Sequence, residues 1–128
     1  MRNRNRAIKL LSALIVLGFL ATAAVVVAEK TPAKVAGTWK VSGAGDAGNI
    51  EQTVVFTQDG DRLAGLFTGL HQSGTVEGTL DGTAIKFSVK GGGVFIKYTG
   101  DVTADTMRGT LISQGKNGSW TARRTKPE

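Results

Sequence analysis

From Val35 to Arg124 the chain is cut into about eight short runs, each ended by glycine or a turn dipeptide. Within the runs apolar and polar residues alternate with period two, which is the signature of a strand with one buried face. The runs are Val35–Ser42, Ile50–Gln58, Arg62–Thr68, Gly74–Leu80, Thr83–Lys90, Val94–Val102, Thr106–Ser113 and Ser119–Thr125. The cleanest is Thr83–Lys90, where Ile85, Phe87 and Val89 share one face and Lys86, Ser88 and Lys90 the other. Asp81-Gly82, Ala104-Asp105 and Asn117-Gly118 read as tight turns, and Gly43–Asn49 as a polar loop. No stretch in this region has helical periodicity. The expected fold is therefore all-β: one eight-stranded antiparallel up-and-down barrel, since closure removes the two edges that an open sheet would expose. Gly65, Gly78, Gly100 and Gly109 fall inside runs, where glycine marks strong bending or close approach. A weak echo also relates Phe67-Thr68-Gly69 to Tyr98-Thr99-Gly100 about 31 residues later.

The N-terminus has a different character. Arg2, Arg4, Arg6 and Lys9 precede an apolar stretch from Leu10 to Leu20, and small residues follow up to Val26-Val27-Ala28. This is the layout of an export signal. Residues 1–28 are expected to be a signal peptide, with 29–34 a linker, 35–125 the barrel and 126–128 a tail. Leu10–Ala28 is also long enough to remain as an uncleaved anchor. The expected location is periplasmic or extracellular.

That address changes the meaning of the charge. The formal net charge is +6, but four of the sixteen Lys and Arg residues precede residue 10. From Glu29 onward twelve basic residues face ten acidic ones, a net of +2, and the two kinds are interspersed. No nucleic-acid partner is expected from such a surface. There is no cysteine, so neither a disulfide framework nor lipidation just after the signal is possible.

Little here suggests chemistry. His71 is the only histidine, so a triad or metal cluster with a second histidine is out of reach. The aspartates lie at turns and strand ends, where turn formation accounts for them. Gly91-Gly92-Gly93 joins two strands rather than opening a helix, which is not how a phosphate cradle is built. No catalytic residue, metal or cofactor is expected, and the chain is not expected to be an enzyme.

Gly37-Thr38-Trp39 in the first run resembles the Gly-x-Trp that opens lipocalins and the wider calycin group. The nearest likeness is to small exported bacterial lipocalin-like domains with Gly-Thr-Trp at one end and Trp-x-Ala-Arg (Trp120 to Arg123) at the other. A weaker likeness is to avidin-type barrels, which also begin with Gly-Thr-Trp. The resemblance implies a barrel closed at one end by Trp39 against a basic residue of the last strand, Arg123 or Arg124, beside Trp120. It also implies an interior able to hold one small, mainly apolar molecule. By strand parity the candidates to line it are Gln52, Phe56, Phe67, Phe87, Tyr98 and Met107. The alternative is a barrel filled by those side chains, serving as a structural or protein-interaction module. A membrane is expected as a partner only through an uncleaved N-terminal segment.

Overall fold

The computed structural model describes residues 31–127. The expected signal segment, 1–28, lies outside them. Eight strands follow one another in sequence: β1 (Gly37–Gly45), β2 (Ile50–Asp59), β3 (Arg62–Thr68), β4 (Ser73–Asp81), β5 (Ala84–Gly91), β6 (Val94–Thr103), β7 (Thr106–Ser113) and β8 (Lys116–Pro127). Each pairs antiparallel with the next, and β8 returns to pair with β1, so the sheet is a closed barrel. The period-two pattern survives as burial. Ile85, Phe87 and Val89 are buried while Lys86 and Lys90 are exposed, and the other strands follow suit.

Three hairpins cluster at one end of the barrel, and their turns are equivalent. Gly60, Gly82 and Ala104 each occupy the first of two central turn positions with φ of 63°, 64° and 52°. Positive φ at this position is the type II′ pattern that suits the twist of paired strands. These three residues are each 22 positions apart. The same spacing recurs in backbone bonds that link one hairpin to the next. The amides of Leu80, Val102 and Arg124 donate to the carbonyls of Asp61, Thr83 and Asp105, all at 2.9 Å. It also recurs in the core, through Leu63, Ile85 and Met107, and through Val76, Tyr98 and Trp120. The true repeat is thus one hairpin of 22 residues. The 31-residue echo relates strands that run in opposite directions, β3 and β6, and has no structural counterpart.

The first and last strands differ most from the sequence expectation, and Gly43–Gly45, expected in a loop, extends β1. Asn117-Gly118 is not a turn but lies within β8; the hairpin turns at Gln114-Gly115, where both residues have positive φ (54° and 79°). Both central residues of a type I′ turn require this geometry, and Gln114 adopts it despite its side chain. The first strand begins at Gly37, and Ala33–Ala36 instead forms a strap across the hairpin end.

That strap closes the barrel. Val35 and Trp39 are completely buried. Trp39 Nε1 donates to the Val35 carbonyl at 2.8 Å, and Gln58 Nε2 donates to the Ala33 carbonyl at 2.8 Å. Gln58 Oε1 accepts from the Val35 amide at 2.8 Å. Arg124 supplies the rest, donating to the carbonyls of Ala36 at 2.7 Å and Lys34 at 2.8 Å while its guanidinium lies 4.5 Å from the Trp39 ring centre. Its Nε also meets Asp105 at 2.8 Å, but that carboxylate is well exposed and the ion pair adds little. A register shift between Thr38 and Trp39 sets Arg124 directly opposite Trp39.

Three outcomes are expected in urea denaturation. Replacing Ala104 by glycine, the residue at its two equivalents, should stabilise the fold by about 0.5–1 kcal/mol, because relief of a left-handed alanine exceeds the added chain entropy. Trp39→Ala should cost about 3–5 kcal/mol, as a large buried truncation does. Arg124→Lys should cost about 1–3 kcal/mol, since one ammonium cannot serve two carbonyls and a ring face together.

Candidate functional site

The middle of the barrel is occupied by four aromatic rings from four strands. Phe87 on β5 is the hub. It stacks on Tyr98 (β6) at 4.6 Å between centroids, and meets Phe56 (β2) at 5.1 Å and Trp120 (β8) at 5.5 Å edge to face. Tyr98 and Trp120 also touch edge to face at 5.2 Å. Phe56 and Phe87 reach each other from well-separated strands, so the rings span the lumen. Such pairs add about 0.5–1.5 kcal/mol each beyond burial.

Room for these rings comes from glycine on the neighbouring strand. Phe56 is paired with Gly65, Phe67 with Gly74 and Phe87 with Gly78, while Trp120 lies between Gly43 and Gly109. Large beside small is how a narrow interior is filled without strain. Gly109 is also needed for backbone reasons, since a Cβ there would fall onto the Thr99 carbonyl oxygen. The glycines inside the strands therefore do not leave the middle of the barrel empty.

At the other end the pattern changes. The inward positions nearest the mouth include Gly69, Gly74, Gly91, Ser113 and Gly118, and the larger inward side chains that line the space are Ile50, Gln52, Val94 and Ile96. Too little volume is present to fill the lumen there. The result is a cup of about 330 Å³ bounded by all four loops of this end and floored by Gln52 and Ile96. Ile50 and Val94 add apolar wall; Leu70 and Phe95 form an exposed apolar rim. Asn49, Glu51, Gln72 and Gln114 line its outer part and are exposed. The loops are held in place by backbone bonds, from Ala47 to the Asn117 carbonyl at 3.1 Å and from Gly69 to the Gln72 carbonyl at 2.7 Å.

The floor is joined to the ring layer by one hydrogen bond. The Tyr98 hydroxyl donates to Gln52 Oε1 at 2.8 Å, and both residues are buried. Desolvation pushes the Tyr98 phenol well above the ordinary tyrosine value.

The sequence-derived candidates thus separate. Gln52 lines the cup. Phe56, Phe67, Phe87, Tyr98 and Met107 are buried in the packed core beneath it. At the closed end, Arg124 is the basic residue on Trp39. Arg123 is exposed on the outer face, paired with Lys40 and Thr106, because adjacent strand residues point to opposite sides. Trp120 belongs to the ring layer, where its Nε1 donates to the Thr99 carbonyl at 3.1 Å. His71 is exposed at the tip of the β3–β4 loop. Ile50, Val94, Ile96 and Ser113 line the cup without having been singled out from sequence. The signal was available in the small inward residues at the mouth ends of β4, β5, β7 and β8, namely Gly74, Gly91, Ser113 and Gly118. Among the described residues no group of three or more His, Cys, Asp or Glu side chains is arranged to hold a metal ion.

Comparison with known proteins finds no protein-family model that matches the chain and no match among curated proteins. The closed eight-stranded antiparallel meander is consistent with a calycin-like barrel.

The Tyr98 environment gives a direct optical test, because the chain contains a single tyrosine. The native protein should show no tyrosinate absorbance at 295 nm near pH 10, where the denatured chain is half ionised. The folded state then holds the proton that the unfolded state loses. Stability should be independent of Tyr98 below pH 10 and fall as the pH rises above it, and Tyr98→Phe should remove that part of the alkaline loss.

Proposed function

We propose that this protein is an exported, non-enzymatic barrel that binds one small, mainly apolar molecule in the cup at its open end. The cup is the observation that carries the reading. Its volume of about 330 Å³ falls in the range of small-molecule pockets, roughly 300–1,000 Å³. Its wall is aliphatic at depth, its rim mixes Leu70 and Phe95 with polar side chains, and a single amide lies at the floor, the composition expected of a site that buries an apolar body and orients it by one polar group. Export is supported by the character of residues 1–28. The chain enters the barrel at the strapped end, opposite the cup.

A second reading, an interaction module with a filled barrel, draws support from the outer surface. Val55 and Leu66 are directly paired and exposed on β2 and β3, and Phe95 and Ile112 are exposed on β6 and β7.

The two readings part on one titration. N-phenyl-1-naphthylamine, an uncharged apolar dye that brightens on leaving water, should bind the wild-type protein with saturable fluorescence. Val94→Trp, which fills the cup from its wall, should weaken that binding at least tenfold while leaving the thermal melt in place. Absence of saturable binding, or binding indifferent to Val94→Trp, would favour the interaction module.

A further inference from the structure

The Tyr98–Gln52 hydrogen bond has a fixed direction. A buried phenol has one proton to donate, and leaving it without an acceptor is costly. Gln52 Oε1, at 2.8 Å, is the hydroxyl's hydrogen-bond partner. The amide is therefore held with its oxygen on Tyr98 and its nitrogen elsewhere. Among the described residues no hydrogen bond engages Gln52 Nε2, and no fully buried side-chain polar atom lacks a partner. The amide nitrogen thus keeps contact with solvent, and the space that Gln52 borders is the cup. Its two N–H donors are the polar group at the cup floor, between the aliphatic side chains of Ile50, Val94 and Ile96.

This makes the floor selective by hydrogen-bond sense. An apolar guest with an acceptor oxygen finds a donor there. A guest presenting only a donor meets another donor, and both lose their water. Charge narrows the class further. Among the described residues the charged side chain that lines the cup is the carboxylate of Glu51, and no lysine or arginine lines it. An anionic guest would lose hydration without gaining a cation, and would face a like charge at the rim.

We infer that the cup takes an uncharged apolar molecule bearing a carbonyl oxygen, which accepts a hydrogen bond from Gln52 Nε2, and that Tyr98 is a positioning residue that aims the amide. The inference rests on the reading of the cup as a ligand site and adds the chemistry of the ligand. Tyr98 does not itself reach the guest, because its hydroxyl is spent on Gln52.

Three probes of matched size test it: acetophenone, ethylbenzene and benzoate, each titrated into ¹⁵N-labelled protein and followed by NMR. Acetophenone should bind about five- to tenfold more tightly than ethylbenzene, the difference one neutral hydrogen bond supplies. Benzoate should bind most weakly. The Gln52 side-chain amide resonances, identified by their absence in Gln52→Leu, should shift with acetophenone and not with ethylbenzene. Gln52→Leu should bring the two uncharged probes to within twofold of each other. Tyr98→Phe should lower the acetophenone preference while leaving ethylbenzene binding unchanged, which loss of packing alone would not do. It also keeps the test alive if Gln52→Leu does not fold. Equal binding of acetophenone and ethylbenzene at the mouth would overturn the inference and leave the cup a ligand site. If none of the probes, nor N-phenyl-1-naphthylamine, moves resonances of the mouth, the ligand reading fails with it.

Discussion

Four consecutive backbone carbonyls, Ala33 to Ala36, each accept a hydrogen bond from a barrel side chain: Gln58, Arg124, Trp39 and Arg124 again. A strap of irregular chain laid across a hydrophobic core brings polar groups that neither helix nor sheet can satisfy, and an unpaired buried carbonyl costs about as much as a lost hydrogen bond. The barrel meets that constraint at one register level. Gln58, Leu80, Val102 and Arg124 are equivalent in the 22-residue hairpin repeat, and the two polar members are the ones that clasp the strap. With the strap held, Val35 and Trp39 become core, and one end of the barrel has a lid without a disulfide.

The rest of the interior follows from how volume is distributed along the axis. Below the mouth, Phe56, Phe67, Phe87 and Trp120 each lie beside a glycine, and rings from opposite sides meet in the middle. At the mouth, β4, β5, β7 and β8 present Gly74, Gly91, Ser113 and Gly118, and the side chains of Ile50, Gln52, Val94 and Ile96 leave the lumen open. The same amino acid thus has opposite consequences at two levels. A glycine beside an aromatic makes room for its ring, whereas the glycines at the mouth leave the lumen open. Gln52 sits at the boundary, tied to Tyr98 below and open to the cup above.

Much of this was legible in the sequence. The eight strands, their order and their inward faces follow from period-two alternation, and β3 begins and ends where its run does. The closing partner of Trp39 was narrowed to two arginines, and strand parity from Trp120 decides for Arg124. Other features were hidden for physical reasons. Asn117-Gly118 has the composition of a turn, but it is absorbed into a strand because Gln114-Gly115 turns the chain first. Gly118 is required there by the nearby Ala44 carbonyl oxygen rather than by a turn. The candidate ligand residues follow from strand parity, but four of the six are aromatic, and aromatic side chains are the ones that fill a lumen this narrow. What marks the cup is a scarcity of side chains, and it becomes visible only when inward positions are compared at equal height.

A solid lower barrel with a cup above it is the central claim, and xenon reports on it directly. Xenon enters dry apolar cavities that have no other occupant. In a crystal pressurised with the gas, anomalous scattering should reveal no xenon between the strap and the layer of Phe56, Phe87, Tyr98 and Trp120, and any bound atom should lie in the cup beside Ile96. An ordered xenon among Leu63, Ile85 and Met107 would contradict the account, because it would place the barrel's free volume beneath the rings rather than above them.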